Sequence, residues 1–125
     1  MDWSYVAGFF DGEGCVTYSR PHNNGIAYKQ YPYLTFSNTN SKVLTTIQEF
    51  LTENGIRSKL SSFSRKHRSE RGWKECYTLN IYDKRSVQEC VYGMHPYLIV
   101  KILDVEWAME LLEGIVASQN LFPSF

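Results

Sequence analysis

A chain of 125 residues, 43% hydrophobic and 15% aromatic, is long enough to bury a core without disulfides or structural metal, and its composition excludes disorder, collagen-like repeats and coiled coil. Lys plus Arg number 13 and Asp plus Glu number 13, so no net charge of either sign marks the molecule as a whole. The apolar runs Val6 to Phe10 and Leu98 to Val100 fall far short of the ~20 residues a membrane span needs, and Met1-Asp2-Trp3-Ser4 has no basic segment, so the expectation is one soluble, intracellular domain over residues 1–125.

Asp2 is expected to cap a first helix from about Trp3 to Asp11, with Gly12 as its stop. Cys15 to Arg20 and Tyr28 to Ser37 alternate around the turn-forming Pro21-His22-Asn23-Asn24-Gly25, which predicts a hairpin. From Ser41, residues Val43, Leu44, Ile47, Phe50 and Leu51 recur at helical spacing until Asn54-Gly55. A second strand pair is predicted over Ile56 to Ser64 and Trp73 to Tyr82, joined by the polar, basic loop 65–72. Two helices follow, Lys84 to Tyr92 and Tyr97 to Val116, broken at Gly93-Met94-His95-Pro96. The order αββαββαα, without linker or repeat, predicts an α+β fold with a four-stranded antiparallel sheet and helices on one face. Trp107, Leu111, Leu112 and Ile115 are expected to pack the last helix, with Glu106, Glu110 and Glu113 wet.

Charge is unevenly placed. Residues 57–82 hold seven basic side chains (Arg57, Lys59, Arg65, Lys66, Arg68, Arg71, Lys74) against Glu70 and Glu75, while both flanks are acidic. In the last strand Trp73, Tyr77, Leu79 and Ile81 alternate with Lys74, Cys76, Thr78 and Asn80; in the second, Leu34 and Phe36 alternate with Tyr31, Tyr33, Thr35 and Ser37. The polar face is either an ordinary solvated sheet or one that lies in a DNA major groove. Cys15, Cys76 and Cys90 lack a C-x-x-C pair and are read as reduced thiols, and His22, His67 and His95 have no ligand spacing with them. Gly12-x-Gly14 is no dinucleotide fingerprint, because no strand precedes it and no helix follows.

Residues 6–14, Val-Ala-Gly-Phe-Phe-Asp-Gly-Glu-Gly, carry the chemistry. Gly8 and Gly12, with Ala7, make a small-residue face on which a second helix could pack closely. A helical glycine costs up to ~1 kcal/mol against alanine, so that loss calls for a packing reason. Asp11 and Glu13 stand at the helix's negative end, where carboxylates are unfavourable unless a cation compensates. Gly12-Glu13-Gly14 is either a flexible turn or, with two helices paired, a site where two carboxylates and backbone carbonyls hold Mg2+ for phosphodiester hydrolysis.

This segment resembles the motif of the LAGLIDADG homing endonuclease family, with Val6 for its first leucine, Phe9-Phe10 for Leu-Ile and Glu13 for its last aspartate. The element order αββαββα matches that family's fold. A single motif is similar to the homodimeric members, which act on long, pseudo-palindromic double-stranded DNA. The resemblance implies a homing endonuclease of intron or intein mobility, hydrolysing DNA with Mg2+ or another divalent cation such as Mn2+ and leaving short 3′ overhangs. An RNA-splicing maturase, with RNA as partner, or a non-cleaving DNA-binding regulator are the alternatives on the same fold.

Carried over by position, the resemblance makes Glu13 the metal-binding acid and the Gly12 carbonyl its backbone companion. Lys101, in Pro96-Tyr97-Leu98-Ile99-Val100-Lys101, becomes the lysine at the scissile phosphate, or else a surface lysine flanking a helix. Asn40 either orients the water shell or caps the helix from Ser41. Leu44 stands where some members have a basic residue. Ala7, Gly8, Asp11 and Gly12 form the implied dimer contact, Asp11 tying the helix end to its partner. The implied DNA-facing set is Thr17, Ser19, Arg20, Lys29, Tyr31, Tyr33, Thr35, Ser37, Arg57, Lys59, Ser61, Arg65, Lys66, Arg68, Arg71, Lys74, Thr78 and Asn80. Of these, Arg65, Lys66, Arg68 and Arg71 fall mainly on phosphates, which supply affinity, while base contacts supply specificity.

Overall fold

The computed structural model describes residues 1–18, 31–66 and 73–121, with side chains at 1–18, 31–63 and 75–114. The elements are α1 (Trp3–Glu13), β1 (Gly14–Tyr18), β2 (Pro32–Asn38), α2 (Ser41–Glu53), β3 (Lys59–Lys66), β4 (Trp73–Ile81), α3 (Lys84–Met94), a 3-10 turn His95–Tyr97, and α4 (Ile102–Leu121). The strands form one antiparallel sheet in the order β1-β2-β4-β3. The predicted turn 21–25 and most of the loop 65–72 lie outside the described residues. Among the described residues, no helix is long and apolar enough to cross a membrane.

The capping residues act as their chemistry dictates. Asp2 accepts the backbone N–H of Tyr5 at 2.9 Å, and that bond with the Ser4 hydroxyl holds its carboxyl below the usual range. Asp83 caps α3 through Ser86 N–H at 3.1 Å. Helix α2 ends at Asn54-Gly55 as predicted, with Gly55 at φ +75°, a conformation that favours glycine.

One face of the sheet and the four helices enclose the core. Leu34, Phe36, Leu79 and Ile81 meet Val6, Ala7 and Phe10 of α1, Leu44, Ile47 and Leu51 of α2, and Val87, Cys90, Val91 and Met94 of α3. Phe10 lies edge-on to Phe36 at 5.2 Å between ring centroids. Burial pushes the Cys90 thiol pKa up, so that sulfur is a packed apolar group, and no disulfide joins the three cysteines.

Helix α1 runs one turn's fraction further than expected, to Glu13, so Gly12 lies inside the helix and Gly14 is its cap. Gly14 is required by close approach: a Cβ there would stand 2.3 Å from the Phe10 ring. Gly14→Ala is therefore expected to destabilise the fold by about 1–3 kcal/mol, read as a fall in denaturant midpoint, because the buried ring has nowhere to move.

Helix α4 departs further from its prediction. It starts at Ile102 instead of Tyr97, since the backbone N–H groups of Ile99, Val100 and Lys101 are taken by the Asp11 carboxylate. Of the face predicted to pack, Leu112 is buried and Leu111 half-buried, while the Ile115 side chain lies outside those described. Val105, Ala108 and Leu112 are buried, whereas Trp107 is 57% exposed and does not pack the core. Glu106 and Glu113 meet His95 at 3.3 Å and the Tyr92 hydroxyl at 2.7 Å, bracing α4 on the end of α3.

Candidate functional site

The carboxyl end of α1 gathers the chemistry. Glu13, its last residue, is exposed and lines an open cleft of about 440 Å³ with Ser37, Asn38, Thr39, Phe63 and Cys76. The register explains the gathering, since Gly14 pairs with Phe36, Ser37 with Thr78, and Cys76 with Phe63. Glu13 thus sits at the edge of the sheet's polar face, one position beyond β1.

Lys101 closes the same helix end from the other side. Its Nζ donates to the carbonyls of Phe10 at 3.1 Å and Asp11 at 2.6 Å, placing a cation on the negative pole of α1. The Asp11 carboxylate binds the lysine's own segment, accepting N–H bonds from Ile99 at 2.8 Å, Val100 at 3.1 Å and Lys101 at 2.9 Å. Asp11 and Lys101 are therefore reciprocal clamps, 90 residues apart in sequence.

The sheet's second face carries Cys15 and Thr17 on β1, Tyr33, Thr35 and Ser37 on β2, Lys59, Ser61 and Phe63 on β3, and Cys76, Thr78 and Asn80 on β4. Along the middle of the sheet these alternate with Val16, Leu34, Phe36, Leu60, Leu79 and Ile81, which pack toward the core.

A model of the LAGLIDADG-like domain family matches residues 2–91. The chain belongs to that family. Among curated protein sequences none matches. Among solved structures, the homing endonuclease I-CvuI in complex with its target has a TM-score of 0.69 at 16% identity, over 94% of this chain and 69% of that one. The archaeal intron-encoded homing endonuclease I-Vdi141I complexed with DNA has a TM-score of 0.69 at 19% identity, over 95% and 71% of the two chains. The LAGLIDADG meganuclease I-CpaMI bound to uncleaved DNA reaches 0.71 at 16% identity, over 97% of this chain and 40% of that one. The likeness establishes the homing endonuclease fold predicted from the motif and the element order.

On this LAGLIDADG framework several sequence-predicted residues take other positions. Ala7 is fully buried in its own chain's core, so its side chain offers nothing to a second helix. The Asp11 carboxylate is engaged by its own chain's 99–101 segment. Asn40 caps α2, its Oδ1 accepting from Lys42 N–H at 2.9 Å and Val43 N–H at 3.4 Å, and it lines a separate cleft with Met1 and Tyr5 instead of the one at Glu13. Arg57 precedes β3 because Ile56 is buried and the Arg57 N–H bonds Ser86 Oγ at 2.9 Å. Tyr31 precedes β2, and Asn80 is buried at 8% exposure.

Ser19, Arg20, Lys29, Arg68 and Arg71 lie outside the described residues. The backbone register pairs Arg65 with Lys74 and Lys66 with Trp73. Cys15 and Phe63 were missed as members of the polar face, and Cys76, which the alternation does place there, is absent from the implied DNA-facing set. The period-2 alternation that selected Thr17, Ser61 and Thr78 selects them equally; their apolar chemistry hid them. Among the described residues no three His, Cys, Asp or Glu cluster as a ready metal cage.

Proposed function

We propose that this chain is a homodimeric homing endonuclease that hydrolyses both strands of a long, pseudo-palindromic DNA site and leaves short 3′ overhangs. The observation that carries the reading is the exposed Glu13 carboxylate, held at the carbonyl end of α1 beside Lys101 and at the edge of a polar sheet face. The structures of I-CvuI on DNA were determined in the presence of Ca or Mg.

The donor set suits a hard divalent cation. An exposed carboxylate and the Gly12 carbonyl are oxygen ligands at a negative helix pole, and one carboxylate per chain leaves coordination positions for water and phosphate. When bound, Mg2+ would supply Lewis acidity and lower the pKa of its water. Lys101 keeps a positive charge at the helix end, where it offsets charge developing on the phosphate. Thr17, Tyr33, Ser37, Ser61 and Thr78 stand on the face that reads base edges, and Lys59 lies at its phosphate-facing margin. Phosphates closest across a minor groove are offset toward the 3′ side, which gives the overhang its polarity.

The second copy is supported by two surfaces. Gly8 and Gly12 are exposed, and a Cβ at either meets nothing within 4 Å among the described residues, so no packing among them accounts for glycine in this helix. Tied to α1 through Asp11, Ile99 is 82% exposed and Val100 74%, and on α4 Leu103 is 76% and Trp107 57% exposed. Gly8→Leu is expected to convert a dimer to a monomer by light scattering and to abolish two-strand cleavage, without lowering the melting temperature of the isolated chain.

The test is a Mg2+-dependent cleavage selection on duplexes built from randomised, inverted half-sites. Double-strand cuts with 3′ overhangs support the proposal. Selective duplex binding without cleavage moves the function to a DNA-binding regulator.

A further inference from the structure

At the centre of the polar face, three side chains are joined to one another. Thr35 Oγ1 donates to Asn80 Oδ1 at 2.9 Å, and Asn80 Nδ2 donates to Thr78 Oγ1 at 3.2 Å. The register dictates this grouping. Thr35 and Asn80 are direct cross-strand partners on β2 and β4, and Thr78 lies two residues along β4 on the same face. Asn80 is 8% exposed, while both threonines are half-buried. A buried carboxamide is tolerated when its oxygen and nitrogen both find partners, and here both do.

A threonine hydroxyl has one hydrogen and two lone pairs and turns to suit its partner, so an isolated one discriminates poorly between base edges. Asn80 removes that freedom. Its Oδ1 captures the only hydrogen of Thr35, which leaves Thr35 presenting lone pairs alone. Its Nδ2 occupies a lone pair of Thr78, which directs the Thr78 hydrogen outward.

We propose that Asn80 is a positioning residue that sets the base preference of the two threonines, with Thr35 acting as an acceptor and Thr78 as a donor toward the major groove. The inference rests on the reading that this face lies on duplex DNA. An acceptor at Thr35 selects adenine N6 or cytosine N4. A donor at Thr78 favours guanine, adenine N7 or thymine O4 and disfavours cytosine, whose N4 can reach only the one lone pair that Asn80 Nδ2 leaves.

The experiment is a binding selection on a randomised half-site duplex library, sequenced for the full-length wild type and four variants. Thr35→Val and Thr78→Val keep side-chain volume and identify the base position that each hydroxyl touches. The wild type is expected to favour adenine or cytosine at the first position and to disfavour cytosine at the second. Asn80→Asp offers acceptors only, so it draws the Thr78 hydrogen inward. Cytosine at the second position should then gain about fivefold, the worth of one hydrogen bond, while the first position keeps its preference. Asn80→Ala frees both hydroxyls and should flatten both positions, leaving the remainder of the site unchanged.

Enrichment of cytosine by the wild type at the Thr78 position overturns the inference even if neither Asn80 variant folds. So does an unaltered base profile in Asn80→Asp, or a uniform loss of selectivity in both Asn80 variants, which is the mark of a purely structural residue. Selective binding that depends on neither threonine overturns this inference alone. Absence of any base selectivity in the wild type overturns the DNA-reading proposal, and this inference with it.

Discussion

Glu13→Gln is expected to lower DNA cleavage about a thousandfold or more, the equivalent of several kcal/mol of lost transition-state stabilisation, while the protein melts at the wild-type temperature or slightly above it. The two halves of that expectation come from one placement. Glu13 is an exposed carboxylate in the last turn of α1, where the helix pole is already negative. A charge there opposes the macrodipole by about 0.3–1 kcal/mol, so its neutralisation relieves the fold and does not weaken it. Glutamine preserves the length and volume of the side chain but cannot contribute the charge that holds a divalent cation. Single-turnover cleavage of a selected site, measured beside a thermal melt and a binding titration, separates the effects. A variant that cleaves at the wild-type rate sinks the metal-binding role of Glu13. One that loses activity only because it unfolds shows that the carboxylate supports structure.

The elements were legible because their signals are local. Asp2, Asn54-Gly55 and Asp83 punctuate helices by hydrogen bonds within a few residues, and the alternation of Leu34 and Phe36 with Thr35 and Ser37 follows from the strand period alone. What could not be read depends on contacts distant in sequence. No local pattern announces that Asp11 binds residues 99–101, so the start of α4 was placed at Tyr97 and Asp11 was assigned to a partner chain. The outward position of Trp107 has the same origin. Leu112 belongs both to the buried stripe with Val105 and Ala108 and to the predicted series with Trp107, and only the tertiary setting turns Val105 and Ala108 inward and Trp107 outward. Asn40 shows the reverse case: its local reading, an N-cap before Ser41, describes the structure, while the role suggested by resemblance sets it at a different cleft.

Gly8 and Gly12 were singled out by their spacing, and the structure adds the reason their spacing matters. A glycine required inside its own chain betrays itself by a neighbour that a Cβ would strike, as Gly14 does against Phe10. Gly8 and Gly12 have no such neighbour among the described residues. Ala7, the third small residue of the face, is instead spent on the core. The exposed stripe is therefore narrower than the motif, and its apolar continuation runs through Ile99 and Val100.

Asp11→Ala is the second substitution with a large expected effect, because it dismantles the support of Lys101 without touching Lys101 itself. One carboxylate accepts three consecutive backbone N–H groups, at 2.8, 3.1 and 2.9 Å. Bonds to a charged acceptor are each stronger than neutral ones, but Ile99 and Val100 are exposed and water replaces part of what is lost. The net cost is about 2–3 kcal/mol, which at this chain length is a fall of roughly 10 °C in melting temperature. Lys101 is anchored at its backbone by this carboxylate and at its Nζ by the carbonyls of Phe10 and Asp11, so release of the 99–101 segment lets the ammonium leave the helix end. Cleavage, measured well below the new melting temperature, is expected to fall about tenfold or more, since catalytic groups tolerate little displacement. Lys101→Met removes the ammonium directly and leaves the carboxylate clamp in place, so it is expected to lose more activity and less stability than Asp11→Ala. Wild-type cleavage by a destabilised Asp11→Ala, measured below its melting temperature, would mean that the clamp serves the fold alone. Equal stability of Asp11→Ala and wild type would mean that the 99–101 segment is held by Pro96 and the packing of Leu98 instead of by Asp11.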